Sequence, residues 1–420
     1  MKLSSKLLDV ADNDDEKTSA QIVASIDDLL IQIFLCLPIK SLIRFTLVSV
    51  QWCSIISSHR FCVLRNPSPN PADGLIFECP RFGYQSTPHI YNSNSHILFL
   101  NKSIMSSPFR KINSAHDPWR RSVEILHSCN GLLVCGCMRD PFDRKYYIYN
   151  PTTKQYSKLP QIQPDRAVSK TICGMFLAFD PSKSPDYKVV CVSELGDWYD
   201  PRFQFEVYSS ETGSWRNQGK PFTADVDFKD GVYWNGAVHW ISFNNTGKSI
   251  YFNPDDHDDQ ILPKLMPTPP ILGGLDCMRR RYFGESCDHL HYIDFYVCRM
   301  RNVELDEFNN VVGRRTFFSE YEFNVYEMKR DYSEWFVKYK VDLSDVVSKR
   351  DRVFSICTVV RCKKDEDSFI VLGMKRKIIR YNLGYKTFEN IYEFHGYENH
   401  LLYHVETVPM FQYIESLYSV

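Results

Sequence analysis

The feature that most constrains this chain is a hairpin pattern that recurs five times beyond residue 140. Tyr147-Ile-Tyr149 runs into Asn-Pro-Thr-Thr-Lys-Gln and meets an aromatic again at Tyr156, seven residues after Tyr149. Phe205-Glu-Val-Tyr208 reaches Trp215, and Ile379-Arg-Tyr381 reaches Phe388, at the same interval. Phe252 is expected to pair with Ile261, and Tyr326 with Trp335, each after nine residues. Each hairpin has an apolar strand upstream: 130–135, 187–192, 235–241, 289–293 and 368–373. A turn flanked by strands, repeated at 40 to 50 residues plus insertions, is how propeller blades look in sequence. One blade cannot bury both of its faces, whereas a ring of blades can, with aromatic residues filling the space between them. Aromatic residues make up 14% of the chain, which supplies that filling and favours strands. A sixth blade is expected to join the two ends, combining Gly74-Leu-Ile-Phe77 and 96–100 with 403–405 and 411–417, the alternatives being a different blade count or an open curved array. Sharing a sheet between the termini removes exposed strand edges.

Residues 25–61 follow a different period. Leu29, Leu30, Ile33, Phe34 and Leu37 form a helical stripe that Pro38 ends. Ile39, Leu42 and Ile43 predict a second short helix, and Val48, Trp52, Ile55 and Ile56 a third. Ser25-x-x-Asp28 has the form of a capping box. Three short helices cannot hide this much apolar surface, and each large side chain left in water forfeits roughly 1.5–3 kcal/mol. The module is therefore expected to dock onto something. Residues 1–24 are expected to be disordered, 25–65 to form the helical module, 66–73 a proline-rich connector with three prolines in six residues, and 74–420 the β-domain.

Charge and cysteine content narrow the classes. Lys+Arg is 50 against Asp+Glu 51, which argues against a nucleic-acid binder acting through bulk charge. The start is acidic and poor in apolar residues, unlike a secretory signal, and no apolar run is long enough to span a bilayer. Fourteen scattered Cys are too sparse for a disulfide scaffold and suggest a reducing compartment, cytoplasmic or nuclear.

No catalytic constellation stands out, and neither a catalytic residue nor a cofactor is expected. Cys287-Asp-His289-Leu-His291 could place three ligands on one strand face, but an inner blade strand with hydrogen-bonded histidines is the simpler reading. Asp255-Asp-His-Asp-Asp259 reads as a solvated acidic loop. Arg279, Arg280, Arg281 and Lys375-Arg-Lys377 read first as solvated turns, with contact to an acidic or phosphorylated target as the functional alternative. Trp198 and Tyr199 lie in a polar insertion, where large aromatics suit a partner contact.

The motifs also carry a resemblance. Asp27-Asp-Leu-Leu30, Leu37-Pro-x-Lys-Ser-Leu42, Arg44-Phe45, Val48-Ser49 and Gln51-Trp52, in this order and spacing, resemble a plant F-box. The sequence departs from that pattern at Ser25-Ile26, where Leu-Pro is usual, and at Val50 and Cys53. Cys129-Asn-Gly-Leu-Leu, Tyr149 to Pro160, Ala178-Phe-Asp-Pro, Val207 to Trp215 and Asn235 to Trp240 resemble the F-box-associated, kelch-like domain of plant F-box proteins. The paired glycines of strict kelch blades are missing, so that label is architectural. The resemblance implies a small helical F-box followed by a β-propeller. It implies docking of a Skp1-type adaptor, and through it cullin and a RING protein, by Ile26, Leu29, Leu30, Ile33, Leu37, Pro38, Leu42, Phe45, Val48, Trp52 and Ile55. It further implies a non-catalytic subunit that presents an unknown target protein for ubiquitination. The competing readings are an F-box scaffold that acts without ubiquitination, and a propeller enzyme or sugar binder.

Overall fold

The computed structural model describes residues 18–66, 72–81, 92–99, 104–105, 123–138, 144–162, 170–196, 201–242, 247–256, 260–270, 279–296, 299–301, 316–318, 321–347, 354–374, 377–393 and 410–420. The chain divides into two compact units between Arg65 and Asn66. Each is described by itself.

The first unit is helical: α1 (Ser19–Ala24), α2 (Asp27–Leu35), α3 (Ile39–Phe45), α4 (Val50–Ile56) and α5 (His59–Arg65). Three helices were expected; α1 falls in the stretch expected to be disordered, and α5 follows the last stripe recognised in the sequence. The expected cap at Ser25 also differs. Ile26 is the residue before α2, with no side-chain cap bond, whereas Ser49 caps α4 by accepting the Trp52 N–H at 3.1 Å. Short helices gain little from propensity and depend on packing. Here Phe34 supplies it: its ring meets Trp52 at 5.2 Å, Phe45 at 6.1 Å and Phe61 at 6.4 Å between centroids, one residue from each of the other long helices. Leu30, Leu42, Ile56 and Phe61 complete a core with almost no exposure.

The second unit is all β. The strands β1 (Gly74–Arg81), β2 (Asn92–Phe99) and β3 (Ile104–Met105) come first. Blade 1 follows with β4 (Val123–Cys129), β5 (Leu132–Met138), β6 (Arg144–Asn150) and β7 (Gln155–Lys158). Blade 2 holds β8 (Lys170–Ala178), β9 (Lys188–Leu195), β10 (Arg202–Ser209) and β11 (Ser214–Phe222). Blade 3 holds β12 (Val232–Trp234), β13 (Ala237–Trp240), β14 (Ser249–Phe252) and β15 (Lys264–Met266). Blade 4 opens with β16 (Arg279–Ser286) and β17 (His289–Tyr296), inserts the small pair β18 (Arg299–Arg301) and β19 (Thr316–Phe318), and closes with β20 (Glu322–Met328) and β21 (Trp335–Asp342). Blade 5 holds β22 (Phe354–Val360), β23 (Phe369–Met374), β24 (Lys377–Asn382) and β25 (Phe388–Glu393). These five blades are four-stranded antiparallel meanders of successive chain. One more four-stranded sheet is assembled from both ends: β26 (Met410–Tyr413) pairs with β1, Gly74 opposite Tyr413 and Ile76 opposite Phe411, and β2 and β3 follow outward. The architecture is thus a helical unit followed by a β-propeller, with the ends joined in one sheet. Residues 403–405 and the connector residues 67–71 lie outside the described residues.

The recurring hairpins are the third and fourth strands of each blade. Tyr149 faces Tyr156, Tyr208 faces Trp215, and Tyr381 faces Phe388, at the expected register. Two pairings differ. Ile250 pairs with Leu265 and Tyr251 with Lys264, so Ile261 stands before the partner strand. Tyr326 pairs with Val337, and Trp335 faces Met328 instead, seven residues earlier. The strand runs two residues past Tyr326, to Met328, before the turn, and this sets the register.

Aromatic packing joins neighbouring blades. Phe205 of blade 2 stacks on Phe252 of blade 3 at 4.0 Å, and Phe295 of blade 4 stacks on Phe354 of blade 5 at 4.9 Å. Two indoles bind the preceding blade: Trp215 Nε1–H donates to Pro160 O, and Trp335 Nε1–H to Pro267 O, both at 2.8 Å.

Two Asn-Gly hairpins sit at equivalent places, between the first and second strands of blades 1 and 3. Gly131 and Gly236 have φ of +87° and +80°, where a side chain is strained. A Cβ on Gly236 would meet open space, whereas on Gly131 it would lie 2.4 Å from Ser416 Oγ. Gly236→Ala should therefore cost only the left-handed strain, about 1–2 kcal/mol. Gly131→Ala should cost clearly more, because it also displaces the C-terminal segment. Thermal unfolding of the two variants beside the parent checks this, and equal midpoints would contradict it. In the helical unit, Phe34→Ala should remove about 3–5 kcal/mol. Leu47→Ala, on an exposed residue, should change stability by no more than about 0.5 kcal/mol. Chemical unfolding followed by Trp52 fluorescence reads both.

Candidate functional site

The helical unit keeps part of its apolar surface in solvent. Ile26, Leu29, Ile33 and Leu64 are exposed, and the α3–α4 connection adds Leu47 at 87%, Val48 at 60% and Val50 at 88% exposure. Several residues expected to make up a docking face are placed differently. Leu30, Leu42 and Ile55 are buried in the unit's own core and offer nothing to a partner. Leu37, Phe45 and Trp52 are half-buried, with Phe45 and Trp52 packed on Phe34. Ile26, Leu29, Ile33, Val48 and Pro38 are exposed. Leu47 and Val50 had not been expected in the docking face, and Val50 was noted only as a departure from the motif. The signal that could have found them is negative: they are the aliphatic residues of 39–56 that match neither helical stripe.

The propeller offers a second site. Each blade's first strand is its innermost, and the strands β26, β4, β8, β12, β16 and β22 neighbour one another in turn around a channel, with β22 meeting β26. Their ends line up. Asn130, after β4, donates its amide to Phe179 O, after β8, at 2.7 Å. Trp234, ending β12, donates to Asp288 O, after β16, at 2.9 Å. Arg361 N, after β22, donates to Ser286 Oγ, ending β16, at 3.0 Å. The channel encloses a cavity of about 770 Å³. At the end where the inner strands begin, its wall carries Glu124, Arg144, Asp227, Lys229, Asp230, Arg280 and Arg281. At the other end stand Cys129, Asn130, Glu285 and Gln412. The Gln412 amide spans neighbouring strands there, donating to Glu285 O at 2.7 Å and to Thr358 Oγ1 at 3.1 Å.

The arginine run divides within this frame, and it is not a solvated turn. All three residues stand in β16. Arg279 is not available to a target: its guanidinium forms a two-pronged bond with Asp294, Nε to Oδ1 at 2.6 Å, with both side chains nearly fully buried. Arg280 and Arg281 line the cavity. Arg144 is paired with Glu124 across blade 1. Burial, and then the Asp227 charge beside it, push the Asp230 carboxyl upward. Burial raises Glu285 to about 7, although its carboxylate accepts the Asp288 N–H at 2.6 Å.

The other sequence candidates resolve as follows. Trp198, Tyr199 and residues 375–376 lie outside the described residues; they fall in the connections β9–β10 and β23–β24, second strand to third. Asp255 and Asp256 pair with Lys188 and Lys264. Cys287 and Asp288 both have positive φ and form the β16–β17 turn, so Cys287 does not share a strand face with the histidines. His289 Nδ1 meets Glu327 Oε1 at 2.9 Å, and His291, fully buried, stands 3.6 Å from Glu327 Oε2. Burial opposes the Glu327 charge, yet the hydrogen bond with His289, with His291 close by, holds its carboxyl well below the usual range. Burial also lowers His291. Among the described residues no group of three or more His, Cys, Asp or Glu is arranged to hold a metal, and no helix is long and apolar enough to cross a membrane.

Comparison with known proteins identifies both units. The F-box domain model matches residues 27–64, and that of the F-box associated beta propeller domain matches 86–257. The F-box protein At5g07610 of Arabidopsis thaliana is 32% identical, over 96% of this chain and 94% of its own length. This chain belongs to the F-box protein family. More distant Arabidopsis relatives include the putative F-box protein At1g71320, 26% identical over 54% of this chain and 64% of its own, and the F-box/kelch-repeat protein At3g23880, 24% identical over 59% and 66%. Among solved structures, a nidogen/laminin complex matches at a TM-score of 0.38 with 9% identity, covering 82% of this chain and 99% of that one. An oligogalacturonate lyase with manganese matches at 0.36 and 9%, covering 72% and 71%. Likenesses at that level carry no functional weight.

In this F-box protein the exposed apolar face thus lies on the F-box and the charged channel mouth on the propeller. Glu285 gives the channel a measurable signature. Its folded pKa lies above that of an unfolded glutamate, so the native state binds the proton more tightly. Stability from this group is present at low pH and is lost as pH rises from about 4.5 to beyond 7. Glu285→Gln keeps an oxygen acceptor for the Asp288 N–H and removes the charge. The variant should be more stable than the parent at pH 8, by about 1–3 kcal/mol, and the difference should shrink toward pH 4.5. Denaturant unfolding across this range reads the sign; a difference that grows on acidification would refute it.

Proposed function

We propose that this F-box protein is the substrate-recognition subunit of a Skp1–cullin–F-box ubiquitin ligase, working in the cytoplasm or nucleus. The observation that carries the reading is the apolar face of the F-box, where Leu47 and Val50 stand almost fully in solvent. Exposed aliphatic side chains clustered on a small unit are a loss to a free protein and a gain to a docked one. A Skp1-type adaptor would cover Ile26, Leu29, Ile33, Pro38, Leu47, Val48 and Val50, with Phe34 and its ring partners holding those positions from below. Cullin and the RING protein would then be reached through the adaptor.

In this reading the sheet shared by the ends completes a six-bladed ring. The target docks at the end of the ring where the inner strands begin, because the charged mouth of the channel lies there. The protein needs no reacting side chain. Holding a target lysine beside a charged ubiquitin carrier raises its effective concentration, and proximity alone supplies the rate.

The test is co-purification with a Skp1-type adaptor. Leu47→Asp combined with Val50→Asp should weaken adaptor binding by about a hundredfold or more, since truncating or charging an anchor costs at least ~2–4 kcal/mol. Helical content should stay as in the parent, because both residues are exposed. Retained binding by this variant would refute the placement of the face, and failure of the parent to bind would remove the reading.

A further inference from the structure

Two groups of exposed apolar residues on the F-box are joined by one polar contact. Ile26, Leu29 and Ile33 stand on α2 and the residue before it, whereas Leu47, Val48 and Val50 stand on the α3–α4 connection and the first residue of α4. The Gln51 side chain reaches from α4 to the start of α2. Its amide donates to Asp27 Oδ1 at 2.8 Å and to Ala24 O at 3.2 Å. Ile26 directly precedes Asp27, and Val50 directly precedes Gln51. All four side chains are exposed. The contact therefore sits where the two apolar groups approach each other.

Asp27 is the group that a covering surface has to answer. The neighbouring carboxylate, Asp28, already has a counter-charge, with Arg60 Nη2 at 3.1 Å from its Oδ1. Among the described residues no cation pairs with Asp27, and the bond it receives comes from a neutral amide. In water this is no burden, because solvent serves the rest of the carboxylate. Once a partner displaces that water, a carboxylate held by one neutral donor is strongly unfavourable unless a cation or further donors replace the solvent. The aliphatic residues on either side give affinity without direction. A charge pair at their junction would fix the register of docking.

We propose that the adaptor brings a basic side chain, lysine or arginine, to Asp27, and that Gln51 is the positioning residue that holds the carboxylate toward it. The inference rests on the reading of this face as the adaptor-docking surface and names the chemistry the partner must carry at its centre.

Titration calorimetry of the full chain with a purified Skp1-type adaptor tests it, at about 0.05 M and about 0.5 M salt. Asp27→Asn keeps an oxygen acceptor for Gln51 and removes the charge. It should weaken binding about tenfold at low salt, and its affinity should fall less with added salt than the parent's does. Asp28→Asn removes the same net charge from a residue already paired with Arg60, and should leave affinity and salt dependence close to the parent's. Gln51→Ala should weaken binding in the parent and clearly less in the Asp27→Asn background, because its action runs through the carboxylate. All three positions are exposed, so thermal unfolding should match the parent's and keep folding out of the comparison. Unchanged affinity and salt dependence for Asp27→Asn would overturn the proposal, as would an equal effect from Asp28→Asn. If Leu47→Asp with Val50→Asp abolishes adaptor binding while Asp27→Asn leaves it intact, the docking face stands and the basic partner group falls. A parent that does not bind the adaptor removes both readings.

Discussion

The β-domain depends on one junction, the pairing of the first described strand with the last. β26 lies beside β1 and supplies the inner strand between β22 and β4. The junction is fastened on both sides. Asp73 uses its N–H on Tyr413 O and its carboxylate on the Glu415 N–H, both at 2.8 Å. Asn150, fully buried, gives its amide to Tyr418 O at 2.8 Å, while its oxygen accepts the Thr152 and Thr153 N–H groups. Thus the Asn-Pro-Thr-Thr turn of blade 1 also clamps the C-terminal segment. Without this clamp a sheet loses its inner strand, and Gln412 no longer spans the end of the channel.

The two units solve opposite problems. Forty-odd residues of short helices cannot form a generous core, so the F-box concentrates its own in one aromatic cluster around Phe34 and leaves aliphatic residues outside. The propeller has surplus burial, with apolar and aromatic side chains packed blade against blade. It can therefore accommodate polar groups in its interior, such as the Arg279–Asp294 pair and the Glu327–His289–His291 group. Each is tolerated because it is paired or close to a partner of complementary character; a lone charge in the same place would be costly.

How much of this was legible follows from where each strand sits. The second strands of blades 1, 2 and 5 are covered on both faces and read as plain apolar runs, as at 132–135, 189–192 and 370–372. The fourth strands of blades 1, 2 and 5 were found through the aromatic facing across the turn. The first strands were missed, although they build the channel. One edge of an inner strand faces the cavity, so its sequence is mixed: β16 begins Arg-Arg-Arg and passes through Gly284 to Glu285. A basic run of that kind looks like a solvated turn. Nothing local announces that Asp294, fifteen residues on, will neutralise Arg279. In the F-box the helical stripe identified apolar positions correctly but could not divide them. Leu29 and Leu30 are adjacent in sequence, yet Leu30 is buried and Leu29 is exposed.

The sequence alone determined what repeats and what changes: a helical period to residue 61, an alternating one afterwards, and hairpins whose facing aromatics set the register. Those are local consequences of side-chain direction, with periods of 3.6 and 2. It also carried the family, because the F-box motifs lie within one short stretch. Tertiary structure alone decided which apolar residues remain for a partner, and which arginine is locked and which two line the channel. Those outcomes depend on contacts between segments far apart in the chain. Burial and charge pairing are settled by what arrives on the other side of a residue, and the pattern around the residue does not record it.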